Sequence, residues 1–226
     1  MKYYLGRGNE ANYVSGALLV AQVASLPFYV WVSRRTSKKT GYLIGAFIWM
    51  ATMLFSFLVT PAAPGWFVYF FAVMVGFGTG GIVVMIYAMF PDIPDVDELQ
   101  TGQRREGTYS AITTFTRKLS SAIALFMISN MLAIAGYHPP VEETANGAVK
   151  VVEQVQTAQF LTDLRLVFAI TPIVLVGLAL IVAFRYPLNS QRHARLNTVL
   201  RMQRGGNPLS PELEREALLL RSELIK

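Results

Sequence analysis

Apolar residues in this chain come in long unbroken runs, and polar residues gather in short patches between them. Five runs reach the roughly 20 mostly apolar positions that a helix needs to cross a hydrocarbon core. They are Tyr13–Ser33, Gly41–Pro61, Trp66–Phe90, Thr108–Gly136 and Leu164–Tyr186. A membrane strand alternates with period 2 over about ten residues, and these runs do not alternate. Backbone amides in hydrocarbon must bond within their own segment, so each run predicts a helix. The pattern predicts an all-α membrane protein: residues 1–187 form a bundle of five transmembrane helices, and residues 188–226 form a soluble tail.

The connecting segments are read in the same way. Thr60–Gly65 (TPAAPG) is a short turn with two prolines, and Tyr137–Asp163 is a longer loop, polar at Glu142, Glu143 and Asn146. Within that loop, Val151, Val152, Val155 and Gln159 fall at helical spacing and predict a short interfacial helix over Val149–Phe160. In the tail, Ser210-Pro211-Glu212 reads as an N-cap, a proline at the first helical position and an acidic first turn. Leu213, Ala217, Leu220 and Leu224 then line one side of a short amphipathic helix, which is expected to fold on the inner membrane face or meet a partner.

Composition agrees with this class. The 226 residues are 53% apolar and 15% charged, with mean hydropathy +0.41, where a soluble domain carries about a quarter charged residues. Cysteine is absent, which excludes a disulfide framework and any Cys-ligated metal or redox site. His138 and His193 lie too far apart in sequence to suggest a metal cluster. No Ser/His/Asp, metal or nucleotide constellation is present, so an enzyme is not expected. The glycines at 76, 78, 80 and 81 resemble a nucleotide loop only superficially. A dinucleotide site places them between a strand and a helix, whereas these sit mid-run, where small residues let helices approach closely. Pro27 and Pro172, also inside runs, predict kinks or gating bends.

Charge gives orientation. Of the 20 Lys and Arg residues, 14 fall in the 33–40 loop, the 91–107 loop and the tail beyond Phe184, and four on the opposite side. The positive-inside rule places the first group in the cytoplasm, with the N-terminus outside and the C-terminus inside. The basic pI of about 9.7 then needs no nucleic-acid partner. The first dozen residues hold no signal-peptide apolar core. An exterior N-terminus therefore predicts that a further helix precedes Met1 and that the chain is part of a longer protein.

Arg117 and Lys118 fall well inside the Thr108–Gly136 run. A cation at that depth costs about 2.5–3.5 kcal/mol on insertion scales, and its default setting is a water-filled cavity with a carboxylate partner. No run contains an acid, so the partner is expected from another part of the protein.

The pattern Pro91-Asp92-x-x-Asp95-x-x-Glu98-x-x-Thr101-Gly102-x-Arg104-x-Glu106-Gly107, followed by Phe115-x-Arg117-Lys118-Leu119, resembles the glycoside–pentoside–hexuronide:cation symporters. The melibiose carrier is their best-known member, and they belong to the major facilitator superfamily. The resemblance implies a multi-pass inner-membrane symporter with twelve helices in two halves. The five runs would be helices 8 to 12, with the N-terminal six-helix half and most of helix 7 as absent partners. It implies a small sugar-like substrate and no cofactor. A coupling cation, Na⁺ or H⁺, would be held largely by the absent half. Lys118 matches an intramembrane lysine near the cation-site carboxylates, and Thr114, with its neighbour Thr113, matches the polar lining of that cavity. Asp92, Asp95, Glu98 and Arg104, with Glu106 and Arg117, match a cytoplasmic gate whose charges pair with basic residues of the other half. Pro94 and Asp97 depart from the family pattern, and Pro94 is expected to disturb helical continuity there. Two alternatives remain open: a lysolipid-type carrier of the same superfamily, and a truncated or structural membrane fragment that transports nothing.

Overall fold

A computed structural model of the chain describes residues 2–145, 148–152, 154–205 and 210–224. Asn146, named above in the polar loop, lies outside these residues. The elements run in the order α1 (Lys2–Leu5), α2 (Ala11–Arg35), α3 (Lys38–Phe55), α4 (Gly65–Met89), α5 (Asp92–Thr101), α6 (Glu106–Ile134), β1 (Val141–Ala145), β2 (Ala148–Val152), α7 (Ala158–Phe184), α8 (Ser190–Arg204) and α9 (Pro211–Leu224). Single 3-10 turns precede α2 and follow α3. Five helical segments are long and apolar enough to cross a membrane.

The ends of the helices follow from local chemistry. Ser37, Thr157 and Asn189 each accept a hydrogen bond from the backbone N–H three residues on, so α3, α7 and α8 begin at capped first turns. Helix α2 stops at Arg34-Arg35, where two cations meet the negative end of the helix dipole. Gly102 (φ 68°) ends α5 and Gly136 (φ 80°) ends α6, each in the left-handed region that glycine enters without penalty. At Gly136 the Tyr137 N–H reaches back to the Leu132 carbonyl at 3.0 Å, which closes the last turn of α6.

Helix α4 is the axis of the bundle, packing on α2 along one side and α3 along the other. Glycine makes both contacts possible. A Cβ on Gly76 would run into the Leu18 carbonyl, and one on Gly80 into Ser25 Oγ and the Gln22 carbonyl, so this i, i+4 pair seats α2. Gly78 faces the Trp49 backbone, while Gly45 faces Gly78 and Ile82 from α3. Tyr29, Tyr42, Ala46, Met85, Val176 and Leu180 form the apolar core where α7 joins α2, α3 and α4. Helix α6 differs from the other long helices, because none of its residues is buried. A second core lies outside the bundle, where Leu99 of α5 packs with Leu188, Leu196, Val199, Leu200, Ala217 and Leu220.

Two local expectations are corrected. The segment Val149–Phe160 is not a helix. Val141–Ala145 and Ala148–Val152 pair as an antiparallel hairpin, Val141 opposite Val152, and α7 begins only at Ala158. Adjacent β-branched valines favour an extended pleat over a helical turn, and Thr157 sets the helix start by capping Phe160. Pro94 does not interrupt its helix. It is the third residue of α5, in the first turn, where a backbone N–H has no intrahelical acceptor in any case. The break falls earlier, between Met89 and Asp92. The tail stripe behaves as its spacing suggests: Ala217 and Leu220 are buried, with Leu213 and Leu224 against the same core.

Candidate functional site

Helix α5 carries three of the six gate residues read from the sequence, Asp92, Asp95 and Glu98. Asp92, at its first position, is only 3% exposed. Lys38 Nζ donates to both of its carboxylate oxygens at 2.7 and 2.8 Å, and His193 Nε2 lies 3.1 Å from Oδ1. One turn on, Arg204 of α8 forks onto two acids: Nε and Nη2 donate to Glu98 at 2.8 and 2.5 Å, and Nη2 also donates to Asp95 at 2.8 Å. Hydrogen bonding to Glu98, then to Asp95, holds the guanidinium above the ordinary arginine pKa against the opposing effect of burial. Arg221 of α9 donates to the Leu99 carbonyl at 2.9 Å. Asp97 meets Arg105 at 3.3 Å. Arg104 and Glu106 pair with each other at the surface.

The three inward acids of α5 therefore have partners within this chain. The family resemblance implies partners outside this chain, and the motif does not single out Lys38, His193, Arg204 or Arg221. In the sequence Lys38 stands out only as a topology charge. The tail arginines carry no local signal, because Arg204 stands 106 residues beyond Glu98.

Helix α6 carries the remaining candidates. Arg117 Nη1 donates to the Tyr87 hydroxyl of α4 at 2.8 Å. Lys118 is exposed and makes no hydrogen bond or ion pair among the described residues. Thr114 sits one turn before it on the same face, also exposed. Thr113 lines a cavity of about 590 Å³ together with Tyr42, Ile86, Ile93 and Ala183. A second cavity, about 570 Å³ and almost wholly apolar, lies between α6 and α7, bounded by Ile123, Met127, Met131, Leu164 and Phe168. The structure thus separates an acidic helix with paired charges from an apolar helix whose Lys118 has no partner among the described residues. At the opposite end of the bundle, Arg165 donates to the Phe57 carbonyl and stacks over Tyr4 and Phe57, 5.2 and 5.5 Å from the ring centroids.

A family model for MFS/sugar transport proteins matches residues 1–190. The chain belongs to the MFS/sugar transport protein family. Among curated relatives of this MFS/sugar transport chain, an uncharacterized symporter, YjmB, of Bacillus subtilis (strain 168) is 27% identical over 86% of this chain and 39% of its own. A glucuronide carrier protein homolog of Escherichia coli (strain K12) is 28% identical over 77% of this chain and 35% of its own. A sodium-dependent lysophosphatidylcholine symporter, 1-A, of Danio rerio is 26% identical over 89% and 36%. The chain spans little more than a third of the length of these relatives. As a member of a transport family with several membrane-length helices, it is a multi-pass membrane protein.

Proposed function

We propose that this chain is the C-terminal part of a cation-coupled symporter for a sugar-like solute, working by alternating access against a second helical half. The observation that carries the reading is Lys118: an ammonium midway along an apolar helix, exposed and without a counter-charge among the described residues. Such a charge is stable in a membrane only beside a water-filled cavity or an acid from elsewhere. An ammonium beside carboxylates favours their ionised form and competes with a coupling cation for them, which links cation occupancy to the state of the carrier. In this reading Arg117, tied to Tyr87, stands toward the inner mouth, and Thr113 and Thr114 belong to the polar lining. Asp92, Asp95, Glu98, Arg104 and Glu106 form the inner charge cluster, and the tail is cytoplasmic. The glucuronide carrier homolog among the relatives supports a glycoside-like substrate.

The test is transport by the full-length carrier in membrane vesicles under an imposed Na⁺ or H⁺ gradient. Lys118→Ala should lower the accumulation ratio about 5- to 150-fold, the span of one coupling interaction, while sugar still equilibrates downhill and membrane abundance holds. Lys118→Arg should not restore it fully, since a planar guanidinium does not replace a compact ammonium. Arg117→Ala should be milder. Wild-type accumulation by Lys118→Ala would overturn the reading. A second reading, a lysolipid substrate, is favoured by the Danio rerio relative and by the apolar cavity between α6 and α7. Saturable uptake of lysophosphatidylcholine, and not of a glucuronide, would select it.

A further inference from the structure

The tail helices α8 and α9 do more than fill space under the bundle. They hold α5 along its whole length. At its start, Asp92 touches His193 of α8. Midway, Asp95 and Glu98 share Arg204. Leu99 is fully buried among Leu196, Val199, Leu200 and Leu220, and Arg221 bonds the Leu99 carbonyl. The strap is itself tied down, with Ser190 Oγ donating to the Thr36 carbonyl at 2.9 Å and Arg192 pairing with Glu223. Bonds from two tail helices, together with a shared apolar core, make this one cooperative unit.

Helix α5 is followed, after four residues, by α6. Asp97 of α5 pairs with Arg105 immediately before α6. Since α6 buries none of its own residues in this chain, this connection is a principal constraint on its inner end. A displacement of α5 therefore reaches Thr113 and is resisted at Arg117 by its bond to Tyr87 of α4.

We infer that α8–α9 is a conformational strap: its grip on α5, through Arg204 on Asp95 and Glu98 and through the Leu99 core, sets the position of the inner end of α6. The grip also keeps the α5 acids from pairing with any other basic surface. Release of the strap frees those acids and the start of α6 together. The consequence for transport rests on the proposed role of α6, but the mechanical coupling does not.

The experiment uses the full-length protein in inverted membrane vesicles, with Thr113→Cys as the reporter; these 226 residues hold no cysteine, and any cysteine elsewhere in the protein is first replaced by serine. The rate of labelling by an impermeant maleimide is measured beside the rate of tryptic cleavage of the tail. Arg204→Glu should speed both, labelling by about two- to fivefold, the range of one partly exposed ion pair. The charge swap Arg204→Glu with Glu98→Arg should return both toward wild type. Faster tail cleavage with unchanged labelling at position 113 overturns the coupling. Unchanged tail cleavage overturns the grip. Equal acceleration at Met131→Cys, at the far end of α6 and labelled in vesicles opened to the reagent, reports general loosening and overturns it too. Labelling needs no substrate, so failure to find solute uptake would count against the symporter reading and leave the strap intact.

Discussion

Burial grades the charges around α5, and the grading has measurable consequences. Asp92 is almost fully enclosed, Glu98 nearly so, and Glu106 half open: their side chains are 4%, 11% and 52% exposed. Removing the donor to a buried carboxylate leaves a desolvated charge, whereas removing one from a solvated pair leaves water in its place. Lys38→Met should therefore cost about 1.5–3 kcal/mol, as for a hydrogen bond to a charged group. Arg204→Met should cost less, about 1 kcal/mol, because the acids it serves, Glu98 and Asp95, keep more contact with water than Asp92 does. Arg104→Met should stay within about 0.5 kcal/mol. Thermal unfolding of the purified protein in one detergent, compared across the three variants, checks the order; an Arg104 variant less stable than the Lys38 variant would refute it. These pairings are not legible in the sequence. The acids stand out as a spaced motif on one short helix. The partners of Asp92, Asp95 and Glu98 lie 54 to 109 residues away, and which basic residue arrives depends on how the tail folds back.

The helices themselves are far more legible, because a continuous apolar run admits a single answer in hydrocarbon. What the runs do not give is the choice between short alternatives in polar segments. The Val149–Phe160 stretch satisfies a helical spacing and yet its opening residues, Val149–Val152, pair as a strand, since the partner strand Val141–Ala145 supplies bonds that no local pattern announces. Pro94 reads as a proline within a helix, when its place in the first turn is what matters. The glycines of α4 lie between these cases: their role in close packing is readable, but not which glycine faces which neighbour. That assignment yields a sharp expectation. Gly76→Ala sets a methyl against the rigid Leu18 carbonyl, while at Gly177 a methyl meets nothing within 4 Å. Overpacking of this kind costs about 1–3 kcal/mol, and alanine otherwise gains up to about 1 kcal/mol over glycine in a helix. Gly76→Ala should lower the melting temperature and the folded yield, and Gly177→Ala should hold or raise them. Equal tolerance at both sites would mean that α4 does not seat on α2 as described.

At the scale of the molecule, the amphipathic logic is inverted relative to a soluble bundle. Large apolar side chains on α2, α6 and α7 face outward, among them Val20, Phe126 and Val182, each about 70% exposed. Polar contacts collect at the two ends, around α5 with the tail and around Arg165 with Tyr4. Lipid on the flanks resolves the exposure, since an apolar outer face costs nothing against hydrocarbon and a large amount against water. The same geometry fixes which loops share a side. Helices α2 and α3 meet at the 36–37 turn, and this turn is bonded to the tail through Ser190 and, from Lys39, to the carbonyls of Phe184 and Tyr186. The 36–37 turn, α5 and the tail therefore lie on one side, with the hairpin and the loop before α7 on the other. This grouping is the one that holds 14 of the 20 basic residues, which is why the proposed function, following the positive-inside rule, puts it on the cytoplasmic side. Single cysteines at Arg34 and Gln154, both exposed, test the assignment in intact cells. With an impermeant maleimide added outside, Gln154→Cys should label and Arg34→Cys should label only after the membrane is opened. Labelling of both from outside would break the five-span arrangement, and labelling of Arg34→Cys alone would invert it, moving the tail strap and the α5 acids to the outer face.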